Sequence, residues 1–77
     1  TDTRKKLKEL FTSLDLKYPD NKFNPTSEEI KNISNITLNY PYATLTRAIE
    51  RLYNYRRRSD IKNLPGYLYQ TTGNLLS

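Results

Sequence analysis

The sequence predicts an all-α fold, a small compact bundle of about four helices, and three observations carry that expectation. Apolar residues recur at helical spacing in two long stretches. Helix-start signals stand at Thr26 and at two prolines, Pro41 and Pro65. The one stretch that alternates like a strand, Ile36, Leu38 and Tyr40, is short and has no hairpin partner.

The first helix is carried by Leu7, Leu10, Phe11 and Leu14, which repeat at i, i+3, i+4, i+7, with Asp2 as its cap. Lys5 and Lys8 fall on the opposite side, and Leu16 lies off the apolar face. Residues 17–26 hold Pro19, Pro25, Asn21, Asn24 and Asp20, so they read as a loop, pinned by Tyr18 and Phe23. Thr26-Ser27-Glu28-Glu29 is a capping box that opens a second helix, with Ile30 and Ile33 as its stripe and an end near Asn35. Ile36 to Tyr40 is expected as an extended connector.

Pro41 suits the first position of the third and longest helix, expected over residues 42–58. At 100° per residue, Tyr42, Leu45, Ile49, Leu52 and Tyr53 share one face, while Arg47, Arg51 and Arg58 share the other, with Asn54 close by. Arg56 projects to the apolar side, its stem packed and its head snorkelling out, and Arg57 lies between the faces. Ser59-Asp60 is expected to break this helix. A second connector leads to Asn63 or Leu64 as a cap, and the last helix runs from about Pro65 to Leu75. Leu68 and Leu75 point inward, with Tyr67 or Thr71 between them, and Gly73 weakens the end.

With 77 residues the chain has room for one core, so residues 1–77 are expected to form a single domain. It opens on Thr1 without a methionine and closes on Ser77, which suggests a piece excised from a larger parent protein. Leu, Ile and Phe supply 18 of the residues and Val none, close to the level at which chains stay disordered. Seven tyrosines make up the shortfall. The core should be thin and the stability modest.

There is no Cys and no His, which removes thiol nucleophiles, disulfides, zinc fingers and imidazole chemistry. Two glycines cannot form a phosphate-cradling loop. Each carboxylate has a plain role as cap, ion-pair partner or loop residue, and no pair sits in an apolar setting suited to acid–base work. The expectation is a non-enzyme with no catalytic residue, no metal, no cofactor and no small-molecule substrate. No apolar run approaches the roughly 20 residues that span a bilayer, and no signal-peptide pattern opens the chain, so a soluble intracellular protein is expected.

The net charge of +5 is uneven: residues 1–39 carry +1 and residues 40–77 carry +4. A basic second half points to nucleic acid or to an acidic protein surface. Arg47, Arg51 and Arg58, with Lys62 just beyond, could meet phosphates at helical spacing, and Tyr55, Tyr67 and Tyr69 could stack on the bases of a single strand. A simply solvated face accounts for the arginines equally well. Tyr42 and Tyr53 belong to the core instead, since they share a face with Leu45 and Ile49. A helix-turn-helix is disfavoured, because the connector is long, lacks glycine, and leads to a helix without Asn, Gln or Ser at its start. Tyr and Arg are also the types enriched at protein–protein hot spots.

Arg47-Ala48-Ile49-Glu50, followed by Ile61-Lys62-Asn63-Leu64-Pro65-Gly66-Tyr67-Leu68, resembles the Ile-x-Asn-x-x-Gly/Ala-Tyr-Leu ending of replication-initiation domains. It is similar to the C-terminal domains of RepA-type plasmid replication initiators of Gram-positive bacteria, which are similar in turn to the C-terminal domain of the primosomal protein DnaD. The likeness covers roughly residues 26–76. It implies a cytoplasmic bacterial protein in which a winged-helix domain upstream binds the plasmid origin. This domain then recruits host replication machinery, a DnaG-type primase or the replicative helicase complex, with DNA itself as an alternative partner. Ile61, Asn63, Gly66, Tyr67 and Leu68 are the motif residues.

Overall fold

The computed structural model describes residues 2–77, which form four α-helices and two short 3-10 turns with no strand among the described residues. Helix α1 spans Asp2–Lys17 and buries Leu7, Phe11 and Leu14, with Leu10 partly covered. Leu16 points to solvent, 74% exposed, as its position off the stripe requires. Asp2 is the first helical residue and not the cap; its carboxylate still suits the positive end of the helix dipole. Thr1 lies outside the described residues.

The following loop, residues 18–26, is tied down by side chains. Phe23 is buried, and its amide donates to the Asp15 carboxylate at 2.8 Å. Asn24 takes a positive φ of 42°, a conformation Asn tolerates better than most residues, and its amide reaches the other Asp15 oxygen at 3.2 Å.

Helix α2 covers Ser27–Ser34 and is opened by the expected capping box. The Glu29 amide donates to the Thr26 hydroxyl at 3.1 Å, and the Thr26 amide donates to the Glu29 carboxylate at 2.9 Å. The expected extended connector after it is replaced by a 3-10 turn over Asn35–Leu38. Ile30, Ile33 and Ile36 follow one another at a spacing of three, the 3-10 repeat, so Ile36 continues the buried stripe of α2. Leu38, 81% exposed, contributes nothing to the core, and the alternation of Ile36, Leu38 and Tyr40 has no sheet behind it.

Helix α3 runs from Tyr42 to Tyr55, with Pro41 one position earlier than expected, as the cap residue in extended conformation. Leu45, Ile49, Leu52 and Tyr53 form its buried face together with Ala48 and Thr44. The helix stops at Tyr55 and does not reach residue 58. The Asn21 side-chain amide donates to the carbonyls of Tyr53 at 3.1 Å and Arg56 at 2.8 Å, which satisfies acceptors at the helix end. Arg56 and Arg57 are extended, and Arg58–Asp60 forms the second 3-10 turn, closed by the Arg57 amide donating to Asp60 at 3.2 Å.

Helix α4, Leu64–Leu76, is capped by Asn63, whose side-chain oxygen accepts from the Gly66 amide at 3.2 Å. A Cβ on Gly66 would come within 2.7 Å of that Asn63 side chain, so the cap and the glycine belong together. Leu64 and Leu68 are fully buried, and so is Thr72, whose hydroxyl donates to the Leu68 carbonyl at 2.6 Å. Gly73 does not end the helix; it makes room for Tyr40, whose hydroxyl lies 2.8 Å from where a Cβ would stand.

The assembly is a bundle in which α4 packs on α3 and α2, and α1 packs on α2. Tyr53 joins the remaining pair: its ring centroid lies 4.7 Å from Phe23 in an edge contact and 6.2 Å from Phe11. Its hydroxyl donates to Asp15, and burial followed by that bond holds the phenol well above its ordinary pKa.

Candidate interaction surface

The exposed side of α3 presents Arg47, Arg51 and Tyr55 on successive turns. The Arg51 guanidinium lies over the Tyr55 ring, 5.6 Å from its centroid, in cation–π geometry. Tyr55 is 69% exposed, a large ring displayed to solvent by a helix whose other face is core. Beyond the helix end, the Arg56 Nε donates to the Tyr67 hydroxyl on α4 at 3.2 Å. Arg51, Tyr55, Arg56, Tyr67 and Thr71 thereby line a shallow groove of about 310 Å³ between α3 and α4. An adjoining hollow of about 430 Å³ shares Arg56 and Tyr67 and adds Lys62, Asp60 and Asn63. Three cations therefore surround two tyrosines on one continuous surface.

The residues singled out in the sequence divide between this surface and two other places. Arg51, Tyr55 and Lys62 line it, joined by Tyr67; Arg47 sits one turn along α3, exposed but outside the groove. Arg58 leaves the stripe, because the helix that was to carry it ends three residues earlier. Its guanidinium instead pairs with Glu29 at 2.8 Å, joining the second 3-10 turn to the first turn of α2. Burial alone would raise the Glu29 carboxyl; Arg58 and the bonds at Thr26 more than offset it and hold the pKa below the ordinary 4.5. Tyr69, two residues from Tyr67 and therefore around the other side of α4, stacks edge-on against Tyr40 at 5.3 Å.

Arg56 is the surface residue that periodicity misplaced, since projecting it as helical turned it toward the core. Among the motif residues, Asn63 and Gly66 build the α4 cap, Leu68 is core, and Ile61 and Tyr67 face the hollow. Asp15 is the one buried carboxylate; both of its oxygens accept from internal donors, which makes it an anchor for the loop. Among the described residues no group of three or more His, Cys, Asp or Glu could hold a metal ion. Among the described residues no helix is long and apolar enough to cross a membrane.

Compared with known protein families, with curated proteins and with solved structures, the chain finds no match.

Proposed function

We propose that this domain is a non-catalytic recruitment module of a bacterial plasmid replication initiator, working in the cytoplasm and engaging host replication machinery through the α3–α4 surface. The observation that carries the binding role is the exposed Tyr55 ring under Arg51, beside Arg56, Tyr67 and Lys62. Arg and Tyr on a rigid helical scaffold are the side chains that dominate protein–protein affinity. The replication setting rests on the resemblance of Ile61 to Leu68, and that stretch supplies one wall of the same surface. A DnaG-type primase and the replicative helicase complex are the partners to test first.

The test is direct titration of purified host primase, and separately of the helicase, by calorimetry. Binding should weaken by about tenfold or more in Tyr55→Ala and in Arg51→Ala, as removal of a hot-spot side chain does. No binding to either protein would refute the recruitment reading. A second reading, non-specific DNA binding, is favoured by the same three cations around two tyrosines, which suit a single strand. That reading requires affinity for oligothymidylate that falls steeply with salt.

A further inference from the structure

We propose that the cleft between α1 and α2 is a second docking site, fitted to an acidic, partly apolar peptide segment of a partner protein. This cleft holds about 510 Å³ and shares no residue with the α3–α4 surface. Arg4, Lys5 and Lys8 stand along its α1 side, and Pro25 contributes carbon surface over a floor formed by the buried Phe11 and Ile30. The one ion pair among the described residues is Arg58 with Glu29, so the three cleft cations have no carboxylate partner there. Lys6, by contrast, faces elsewhere, over the Tyr42 ring at 5.9 Å.

The geometry favours a peptide over a nucleic acid. Arg4 and Lys8 are one helical turn apart, a rise of about 6 Å, close to the roughly 6.6 Å between alternate side chains of an extended strand. Asp15 also lines the cleft, a fixed acidic group whose oxygens are already taken by Phe23, Asn24 and Tyr53. It forms no ion pair with Arg4, Lys5 or Lys8, so the three cations keep their full charge for an anionic partner. No exposed aromatic ring lines the cleft to serve as a stacking platform for bases. A chain with acidic side chains at alternate positions and apolar ones between them satisfies both the charge and the carbon surface.

The experiment is fluorescence anisotropy on the 77-residue chain, with a labelled peptide carrying glutamate at alternate positions and leucine or proline between. Binding should fall about tenfold or more in the double variant Arg4→Glu with Lys8→Glu, and be unchanged in Arg51→Glu with Arg56→Glu. A second peptide with serine for leucine keeps the charge and should bind severalfold more weakly. Circular dichroism checks that each variant is folded, since all four positions are exposed. Failure of the wild-type chain to bind the first peptide overturns the proposal, as does unchanged affinity in the Arg4/Lys8 variant. Equal affinity for the serine peptide overturns the apolar part. Binding of oligothymidylate that is lost in the Arg4/Lys8 variant assigns the cleft to nucleic acid instead.

Discussion

Replacing Asp15 by alanine removes the acceptor for three donors, and the structure says what each loss is worth. The Phe23 amide and the Tyr53 hydroxyl are buried, while Asn24 is exposed and can turn its amide to water. Two buried donors left without partners, at about 1–3 kcal/mol each, give an expected loss of roughly 2–6 kcal/mol. Asp15→Asn keeps one oxygen for Phe23 and Tyr53 but sets an NH2 against the Asn24 amide, so about 1–2 kcal/mol is expected. A domain of this size has about 4–12 kcal/mol in all, which puts the alanine variant near the edge of folding. Urea unfolding followed by far-ultraviolet circular dichroism measures both variants. Tyr53→Phe completes a double-mutant cycle, which should return a coupling of about 0.5–3 kcal/mol for residues in contact. An alanine variant within about 0.5 kcal/mol of the parent, the range of ordinary surface changes, would refute the role of Asp15 as the anchor.

Ile49→Ala, in a fully buried position, should destabilise by about 2–5 kcal/mol in the same assay, whereas Arg47→Ala and Arg51→Ala should stay within about 0.5 kcal/mol. Arg58→Ala should be larger than either arginine change, up to about 1 kcal/mol, because it breaks the pair with Glu29. Glu29 has a lowered pKa in the folded chain, so folding binds its proton less readily than the unfolded state does. Its contribution is complete above its ordinary value of 4.5 and is lost as the pH falls through and below it, and Glu29→Gln should flatten that part of the melting-temperature profile. Asn21→Ala frees the carbonyls of Tyr53 and Arg56; a loss of about 1 kcal/mol is expected, with faster amide exchange in the last turn of α3.

Features governed by nearby residues were readable without coordinates. The Leu7–Leu14 stripe, the Thr26–Glu29 box, a cap at Asn63 or Leu64 and the split of α3 into an apolar and a basic face each depend on residues within a few turns of one another. What local pattern could not supply came from long-range side chains. Asn21 ends α3 at Tyr55 from 32–35 positions away, and no spacing rule within 42–58 announces that. The shortened helix then moved one candidate residue, Arg58, and brought in another arginine, Arg56. Arg58 swung to Glu29, and Arg56 turned outward to Tyr67. Residues 36–40 carry two overlapping patterns: the alternation of Ile36, Leu38 and Tyr40 suggests an extended chain, while the spacing of three from Ile30 through Ile33 to Ile36 is the one the fold follows. Tyr67 and Tyr69 both stand as possible stacking residues in the sequence; their offset of two puts them on different sides of α4, and the contact of Tyr69 with Tyr40 is long-range.

The bonds that hold residues 18–26 reach far along the chain: Tyr18 to Asn54, Asn21 to Tyr53 and Arg56, and Tyr53 to Asp15, at separations of 32–38 residues. This fixes an order of assembly. On a ribosome, α1 and α2 emerge first, yet the segment between them has only its local bonds to Asp15 to hold it until Arg56 has left the exit tunnel. Those distant bonds form across wide loops whose closure is entropically costly, so this segment is expected to lock last although it is made early. A chain cut before Arg56 lacks those anchors, and limited proteolysis of it is expected to cut within residues 18–26.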